Sequence, residues 1–150
     1  MSEIVAEPLV LPALQGGTRE SVLREMVESL AAQQPQIDTS RLFEVLCERE
    51  RLGSTGIAEG VAIPHGRLPG LPGMMVVVGR HQEGVDFGSL DGSPTKLFFL
   101  LVAPQEKPGR HLTALAHVSR LVKDASFRRG LMSARDRHEL YLRIVAQDAR

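Results

Sequence analysis

The first third of the chain has the hydrophobic pattern of two amphipathic helices. Thr18 is a suitable N-cap for the first helix, which is not expected to continue past Pro35. The second helix is predicted to begin after Asp38 or Ser40 and to end near Arg51. Apolar residues at three- and four-residue spacing define the buried face of each helix. These faces consist of Leu23, Met26, Val27, Leu30 and Ala31 in the first helix, and of Leu42, Val45 and Leu46 in the second.

Four short apolar runs have the composition of strands. They comprise residues 8–14, 61–63, 74–78 and 96–102. The first run is interrupted by Pro12, which predicts an edge strand or an extended segment, and the second run stops at Pro64. The last two runs are continuous, as in central strands that are covered on both faces, and the turn signal Asp91-Gly92 lies between them.

Helical spacing returns beyond Gly109. One helix is predicted to have a shared face of Leu112, Leu115, Ala116 and Ser119. A last helix is marked by Leu140 and Ile144, with Ser133 as its predicted N-cap. Two helices, then strands, then helices predict an α/β sandwich in a single domain that covers residues 1–150.

Composition narrows the class of protein. Of the 150 residues 43% are apolar and 24% are charged, which is the balance of a globular chain. The 18 Lys and Arg residues equal the 18 Asp and Glu residues, so the basic field that non-specific nucleic-acid binding requires is missing. No apolar run is long enough to cross a bilayer, and no secretory signal is recognisable at the N-terminus. Together with the single Cys47, these features predict a cytoplasmic protein without membrane insertion.

A Gly-rich segment, residues 53–67, contains the most informative chemistry. Its glycines let backbone amides approach an anion, and Ser54, Thr55 and Gly56 are therefore predicted to bind a phosphate. The Gly-Lys-Ser/Thr ending of a P-loop is missing, so nucleotide binding is not implied. His65 follows a strand and a proline and precedes a glycine, a position that presents its ring at the end of a strand.

Two further residues suit phosphoryl chemistry beside His65. His111 is predicted near the start of a helix, where the dipole favours an anion, and Arg49 lies near the end of the second helix. Neutral imidazole is a nucleophile near pH 7, and guanidinium matches phosphate oxygens in bidentate fashion. The alternative is that His65 is a solvated surface residue and that the Gly-rich segment is only a connection.

The remaining candidates have simpler interpretations. His117 is predicted to be packed or half-exposed, whereas His81 and His138 stand among polar neighbours and are predicted to be solvated. Cys47 is predicted to be a small buried hydrophobe within a helix. A zinc site built from histidines and Cys47 is disfavoured because no pair has ligand spacing, so neither a metal nor a cofactor is expected.

Residues 48–57 and 61–67, Glu-Arg-Glu-Arg-Leu-Gly-Ser-Thr-Gly-Ile and Val-Ala-Ile-Pro-His-Gly-Arg, resemble a known bacterial family. This family is the enzyme IIA domain of the fructose/mannitol class in the phosphoenolpyruvate-dependent phosphotransferase system, which includes a stand-alone nitrogen-regulatory form. The similarity extends to Asp86-Phe87, Asp91-Gly92, residues 98–102, His111-Leu112 and Leu115-Ala116.

The resemblance implies an α/β sandwich with a mixed sheet between helices. It implies that His65 carries the phosphoryl group, and that His111 and Arg49 support this group without carrying it. One departure is that Ala58-Glu59-Gly60 replaces the Gly-Asn-Gly of the regulatory members. The Glu59 carboxylate would either repel a phosphate or orient the His65 ring by accepting its second N–H, and the sequence leaves both open.

The resemblance also implies the partners and the type of reaction. The donor would be a phosphohistidine on an HPr-like carrier protein, and neither metal nor nucleotide would be required. The acceptor would be either the cysteine of an enzyme IIB domain, for sugar uptake, or a regulatory target. The regulatory form is favoured because the chain shows no IIB or membrane segment. Because the phosphate must pass to a second protein, the site is predicted to be shallow and ringed by apolar surface.

Overall fold

The computed structural model describes residues 5–106 and 108–148, without the side chains of Ala58, Pro108, Arg110 and His111. Five helices and five strands are found in these ranges. In chain order they are β1 (Val5–Leu11), α1 (Arg19–Gln33), α2 (Thr39–Leu52), β2 (Val61–Ala62), β3 (His65–Leu68), β4 (Met75–Val85), β5 (Thr95–Pro104), α3 (Pro108–Leu121), α4 (Ala125–Ser133) and α5 (Arg137–Asp148). A short 3₁₀ turn, Ala58–Gly60, precedes β2.

The strands form one mixed sheet with the order β1-β4-β5-β2, and β3 also pairs with β5. β1 runs parallel to β4 at one edge, β4 and β5 are antiparallel, and β2 and β3 are both parallel to β5. β2 and β3 follow each other along the same edge of β5, with Val61 opposite Leu97 and His65 opposite Leu101. Pro64 separates the two short strands, and its carbonyl accepts the amide of Leu101 at 2.9 Å.

Two hydrophobic cores lie on the two faces of the sheet, because successive strand residues point to opposite sides. Helices α1 and α2 cover one face, where the core includes Leu23, Leu30, Leu46, Phe98 and Leu100. Helices α3, α4 and α5 cover the other face, where the core includes Val118, Leu131, Ile144, Phe99 and Leu101. This arrangement confirms the predicted α/β sandwich with a mixed sheet between helices, and it confirms β1 as an edge strand.

The predicted start signals of α1 and α2 are confirmed. The Thr18 hydroxyl accepts the amide of Ser21, and the Ser21 hydroxyl accepts the amide of Thr18, so the two residues form a reciprocal cap. Asp38, and not Ser40, caps α2 by accepting the amide of Arg41 at 3.0 Å. The carboxylate of the cap also lies at the positive end of the helix dipole, where a negative charge is favourable.

The prediction for the last helix is wrong at its start. Ser133 is the final residue of α4, a helix that the sequence pattern did not separate from its neighbours. The carboxylate of Asp136 accepts the amide of Glu139 at 2.8 Å and so caps α5. A carboxylate next to the first turn satisfies a free amide as well as a hydroxyl would, and Asp136 stands three residues after the predicted cap.

The predicted buried face of α3 is also displaced. Leu112 is 67% exposed, whereas Val118 and Val122 are buried in the core. The helical period correctly indicates an amphipathic segment. Because successive residues are rotated by about 100° around the helix axis, a shift of one residue in the assignment turns the predicted buried face by the same angle. The helix therefore packs through Ala114, Leu115 and Val118.

Arg80, on β4, is a buried cation that holds the end of α4 against the sheet. Its Nε donates to the carbonyl of Pro12 at 3.0 Å. Its Nη1 donates to the carbonyls of Leu131 at 2.8 Å and Ala134 at 2.6 Å. The guanidinium is thereby satisfied by backbone oxygens at a position that is 4% exposed.

No helix in residues 5–106 and 108–148 combines the length and the apolar character required to span a membrane.

Candidate active site

A cleft of about 570 Å³ lies between α2 and β3. Its lining consists of Arg41, Val45, Arg49, His65, Gly66, Arg67 and Gln105. The three α2 residues are four positions apart and therefore lie on one face of the helix. His65 and Arg67 occupy alternate positions of β3. Three guanidinium groups surround the cleft, which differs from the apolar rim that the sequence predicted.

The His65 ring is held between Arg49 and its own strand. Arg49 donates from Nε to Nε2 of His65 at 3.2 Å, while Nδ1 of His65 lies 2.8 Å from the carbonyl oxygen of Ile63. Guanidinium only donates and a carbonyl only accepts, so the proton of the neutral ring belongs on Nδ1. The unprotonated Nε2 then faces Arg49. A second contact, from Arg49 Nη1 to the carbonyl of Gly53 at 2.7 Å, fixes the guanidinium.

Burial lowers the pKa of His65 from its ordinary value, and the Arg49 guanidinium lowers it further. The hydrogen bond to Ile63 and the carboxylate of Glu50 act in the opposite direction. The net decrease keeps the imidazole neutral at physiological pH, and the neutral form is the nucleophilic one. The surroundings therefore provide a nucleophilic nitrogen next to a fixed positive charge.

Gly66 allows α2 to approach β3 closely enough for this contact. A Cβ atom at this position would lie 3.0 Å from Cγ1 of Val45 and 3.3 Å from Cδ2 of Leu46. Such distances are shorter than normal van der Waals contacts, so a side chain would push the helix away from the strand. The spacing between Arg49 and His65 therefore depends on the glycine that follows the histidine.

The three residues predicted to bind phosphate are engaged within the fold. Ser54 donates its hydroxyl to the carbonyl of Phe87 and accepts the amide of Gly56 at 2.9 Å. The amide of Thr55 donates to both carboxylate oxygens of Glu50, at 3.1 and 3.2 Å. These bonds fix the Gly-rich turn to the end of α2 and to the segment that follows β4. The cationic groups of the cleft come instead from arginine side chains.

The hydroxyl of Thr55 is an exception to this internal pairing. Thr55 is buried, and its Oγ1 has no hydrogen-bond partner among the residues that the structure describes. A buried hydroxyl without a partner costs free energy unless water or a ligand satisfies it.

Glu59 does not orient the His65 ring, which is one of the two roles considered for it. Its carboxylate forms an ion pair with Nη2 of Arg128 on α4, and its amide donates to the carboxylate of Asp91 at 3.0 Å. The second N–H of the His65 ring is directed at Ile63, as described above. Glu59 thus belongs to the face of the sheet that α4 covers, and its ion pair is directed there.

His111 lies in the first turn of α3, as the sequence predicted, but its side chain is outside the part of the structure that is described. The other histidines are engaged elsewhere. His117 is half-buried, as predicted, and its Nε2 contacts the carboxylate of Asp148. His138 is exposed, as predicted, and contacts Glu7 at 3.0 Å.

The prediction that His81 is solvated is wrong. His81 is 8% exposed, and its Nδ1 accepts the amide of Gly84 at 3.0 Å, where the pairing of β4 with β5 is irregular between Arg80 and Val85. Cys47 is half-buried against the core of α1 and α2, and burial raises the pKa of its thiol. Within the described ranges, no group of three or more His, Cys, Asp or Glu residues is arranged to hold a metal ion.

Sequence reasoning did not single out Arg41, Arg67 and Gln105 for the cleft. Two of them had a local signal. Arg41 is eight residues before Arg49 on the same helical face, and Arg67 is two residues after His65 on the same strand. Gln105 had none, because it reaches the cleft only through the pairing of β5 with β3, where its amide donates to Leu68.

The sequence that forms this site matches the model of a known protein family. The model described as "Phosphoenolpyruvate-dependent sugar phosphotransferase system, EIIA 2" matches residues 3–146. The chain belongs to this family. His65, Arg49 and the Gly-rich turn all lie inside the matched range, and the family resemblance seen in the sequence is confirmed.

Curated relatives fall into two groups within the family. The nitrogen regulatory protein of Bradyrhizobium diazoefficiens is 38% identical over 94% of this chain and 92% of its own length. The fructose-specific EIIABC component of Bacillus subtilis is 32% identical over 89% of this chain, which corresponds to 21% of that longer protein. The first relative is similar over most of both chains, whereas in the second the similar segment is one part of a longer protein.

Solved structures show the same fold. The crystal structure of nitrogen regulatory protein IIA-Ntr from Neisseria meningitidis has a TM-score of 0.88 at 31% identity, over 95% of this chain and 97% of that one. Enzyme IIA mannitol of Escherichia coli, solved in complex with phosphorylated enzyme IIB mannitol, has a TM-score of 0.76 at 19% identity, over 94% and 96% of the two chains. The general role of the family, a phosphocarrier component of the phosphotransferase system, therefore applies to this chain.

Proposed function

We propose that this chain is a cytoplasmic phosphocarrier that accepts a phosphoryl group on Nε2 of His65 from a phosphohistidine of an HPr-like protein. The observation that carries the proposal is the pair of contacts made by the ring. Nδ1 donates to the carbonyl of Ile63, and Nε2 accepts from Arg49 in an open cleft. The reactive lone pair is thus directed at the guanidinium that would contact the incoming oxygens.

Transfer requires one bond to form and one to break. The hydrogen bond from Nε of Arg49 to Nε2 of His65 is released, the Nε2 lone pair attacks phosphorus, and the bond between phosphorus and the carrier's imidazole nitrogen breaks. The electron pair of that bond returns to the carrier's ring, which becomes neutral. His65 becomes an N-phosphoryl imidazolium, and the carbonyl of Ile63 stabilises its positive charge through the Nδ1 proton. The reaction needs no nucleotide, because the donor bond already has high transfer potential.

The arginines of the cleft would stabilise the charge on the transferred group. Arg49 is nearest to the nitrogen and is already oriented by Gly53, so it needs little reorganisation. Arg41 and Arg67 line the same cleft and add positive charge at its rim. The family resemblance assigns a supporting role to His111 as well. Thr55, with its unpaired hydroxyl, remains the one proposed phosphate-binding residue of the turn whose side chain is not already engaged.

The proposed output is regulatory. Phosphorylation adds about 1.5 to 2 negative charges to a cleft that three arginines make positive, so much of the positive charge on the surface offered to partners is neutralised. The similarity to a nitrogen regulatory protein, over 94% of this chain and 92% of that protein, supports this output. We expect His65→Asp and His65→Ala to retain different proteins in pull-downs. Identical partner sets for both variants would contradict the regulatory proposal.

A second candidate function is sugar uptake, in which His65 passes the phosphate to a cysteine of an enzyme IIB domain. The fructose-specific relative favours this reading, because it contains a segment similar to this chain. Phosphorylated protein mixed with a fructose-type IIB domain distinguishes the two. Rapid movement of the label to IIB cysteine would support uptake, and retention of the label on His65 would support regulation.

Labelling with phosphoenolpyruvate, enzyme I and the carrier protein tests the central proposal. The label should appear on Nε2 of His65, be labile in acid and stable in base, and not arise from ATP. His65→Ala should remain unlabelled. His138→Ala is the matched control because His138 is an exposed histidine on α5, and it should be labelled normally. Full labelling of His65→Ala, or a phosphate on Nδ1, would refute the proposal.

A further inference from the structure

A second cleft, of about 480 Å³, lies on the opposite face of the sheet from α2. One wall is a face of α4 that includes Arg128, Arg129 and Met132. The other wall is formed by Lys96 and Leu97 at the start of β5 and by Glu59 in the 3₁₀ turn. We refer to this cleft as the α4 groove. Volumes of this size are typical of sites for small molecules.

The α4 groove has a concentrated positive charge. Lys96, Arg128 and Arg129 contribute three cations, while Glu59 contributes one carboxylate. Lys123 lies in an adjoining cleft of about 400 Å³ that shares Glu59 and Arg128 with the groove. The whole chain is neutral, so this clustering is a property of the fold and not of the composition. Such a field attracts and orients anions.

Arg128 is the fixed centre of the cluster. Its Nη1 donates to the carbonyl of Val122 at 2.6 Å, and its side chain is only 15% exposed. Its Nη2 is paired with the Glu59 carboxylate, which is 61% exposed. The guanidinium is therefore anchored from one side by the backbone, while the group on its other side is an accessible carboxylate that an incoming anion can replace.

Glu59 holds this position with an unfavourable backbone. It has φ of 67°, the left-handed conformation that side chains other than glycine rarely adopt, and its amide is held by Asp91. Residues in such conformations concentrate at ligand clamps and switch regions. In this conformation the Glu59 carboxylate is paired with Arg128.

We propose that the α4 groove binds a small organic dianion of the phosphate monoester class, whose phosphate displaces Glu59 from Arg128. Arg128, Arg129 and Lys96 would contact the phosphate. These three cations and the one carboxylate of Glu59 leave a net charge of two positive units, which the two negative charges of the ligand would balance. Leu97 and Met132 offer an apolar surface for the organic part. This site is separate from His65 and does not depend on the proposed phosphocarrier function.

Phenyl phosphate is a suitable probe, because it combines a dianionic head with an apolar ring. In a titration followed by amide NMR, we expect shifts at Gly60, Leu97 and Ala125, which line the groove. The His65 cleft is monitored through Gly66, and the titration is repeated with His65→Ala. Binding at the groove should be unchanged in His65→Ala. A failure of the groove proposal can therefore be distinguished from a failure of the phosphocarrier proposal.

Charge variants give the decisive comparison. Arg129→Gln should weaken binding by about tenfold, as the loss of one charge-assisted hydrogen bond implies. Glu59→Gln should strengthen binding, because the competing carboxylate is gone. Arg51→Gln removes the same charge from the exposed surface of α2, on the other face, and should leave the affinity unchanged.

Three results would overturn the proposal. The first is a set of shifts confined to Gly66, which would place the probe in the His65 cleft. The second is an equal affinity for the wild type, Arg129→Gln and Glu59→Gln. The third is binding of an acidic peptide at the groove without binding of phenyl phosphate, since this would indicate a protein partner in place of a small ligand.

Discussion

Replacement of Arg49 by glutamine tests the geometry of the His65 site most directly. Glutamine retains a donor at about the same distance from the backbone as Nε of arginine. It loses the positive charge and the second donor, which contacts Gly53. The 3.2 Å bond to Nε2 of His65 would be lost or weakened. We expect slower phosphoryl transfer and an increase in the pKa of His65, because the guanidinium no longer opposes protonation of the ring.

The size of the effect follows from one charge-assisted contact. Such a hydrogen bond contributes about 1.5–3 kcal/mol, and each tenfold change in rate corresponds to about 1.4 kcal/mol. Arg49 is already bound to His65 in the resting protein, so only the additional strength of its contact with the phosphoryl oxygens affects the rate. Removal of a preorganised donor of this kind reduces rates by about 10²-fold or more, and we expect about 10²-fold here.

The assay is single-turnover transfer of label from the phosphorylated carrier to the protein, with thermal unfolding measured in parallel. Arg51→Gln is the matched control, because Arg51 is exposed near the end of the same helix and does not line the cleft. It should transfer at the wild-type rate. An NMR titration of the imidazole resonances gives the pKa change independently of the transfer reaction.

Two outcomes would refute this reasoning. If Arg49→Gln transferred label at the wild-type rate, the guanidinium would have no part in the transition state. If the rate fell but the pKa of His65 did not rise, the two side chains would not be in contact in solution, and the slower rate would need another cause.

Three further predictions concern the same region. The pKa of His65 is lowered in the folded protein, so stability should decrease as the pH falls through the ordinary value near 6.5, where only the unfolded state takes up the proton. In His65→Gln the pH dependence of the unfolding free energy should be shallower; an unchanged slope would contradict it. Gly66→Ala places a methyl group 3.0 Å from Val45, so calorimetry should show a loss of about 1–3 kcal/mol and transfer should slow. His111→Ala should slow transfer while His65 stays the labelled residue; an unlabelled His111→Ala together with a labelled His65→Ala would reverse the roles.

Local sequence signals predicted most of the elements and their order, but they missed the short strand β3 and did not separate α4 from its neighbours. Thr18 and Asp38 were identified as caps because a cap needs only its own side chain and amides two or three residues away. The same reasoning failed for α5, which is capped by Asp136 and not by the predicted Ser133. It failed for Leu112 because helical spacing fixes an angle between residues, and the neighbouring elements decide which side is buried.

The site was predictable in part for a related reason. His65 and Arg49 stand out through the chemistry of their own segments, and the structure brings them together. The amides of the Gly-rich turn were assigned to a phosphate, yet Thr55 is bound by Glu50 and Gly56 by Ser54. The sequence shows that backbone amides are available as donors. Only the fold shows that acceptors within the protein already bind them.

Two contacts of α4 should respond differently to ionic strength: the ion pair of Arg128 with Glu59 in the α4 groove, and the bonds of the buried Arg80 to the end of α4. Salt weakens attraction between exposed charges over a screening length of about 10 Å at 0.1 M, so it loosens the accessible Glu59 carboxylate from Arg128. The bonds from Arg80 to the carbonyls of Leu131 and Ala134 lie away from solvent and involve neutral acceptors. Concentrated electrolyte should therefore free Glu59 while α4 keeps its place on the sheet.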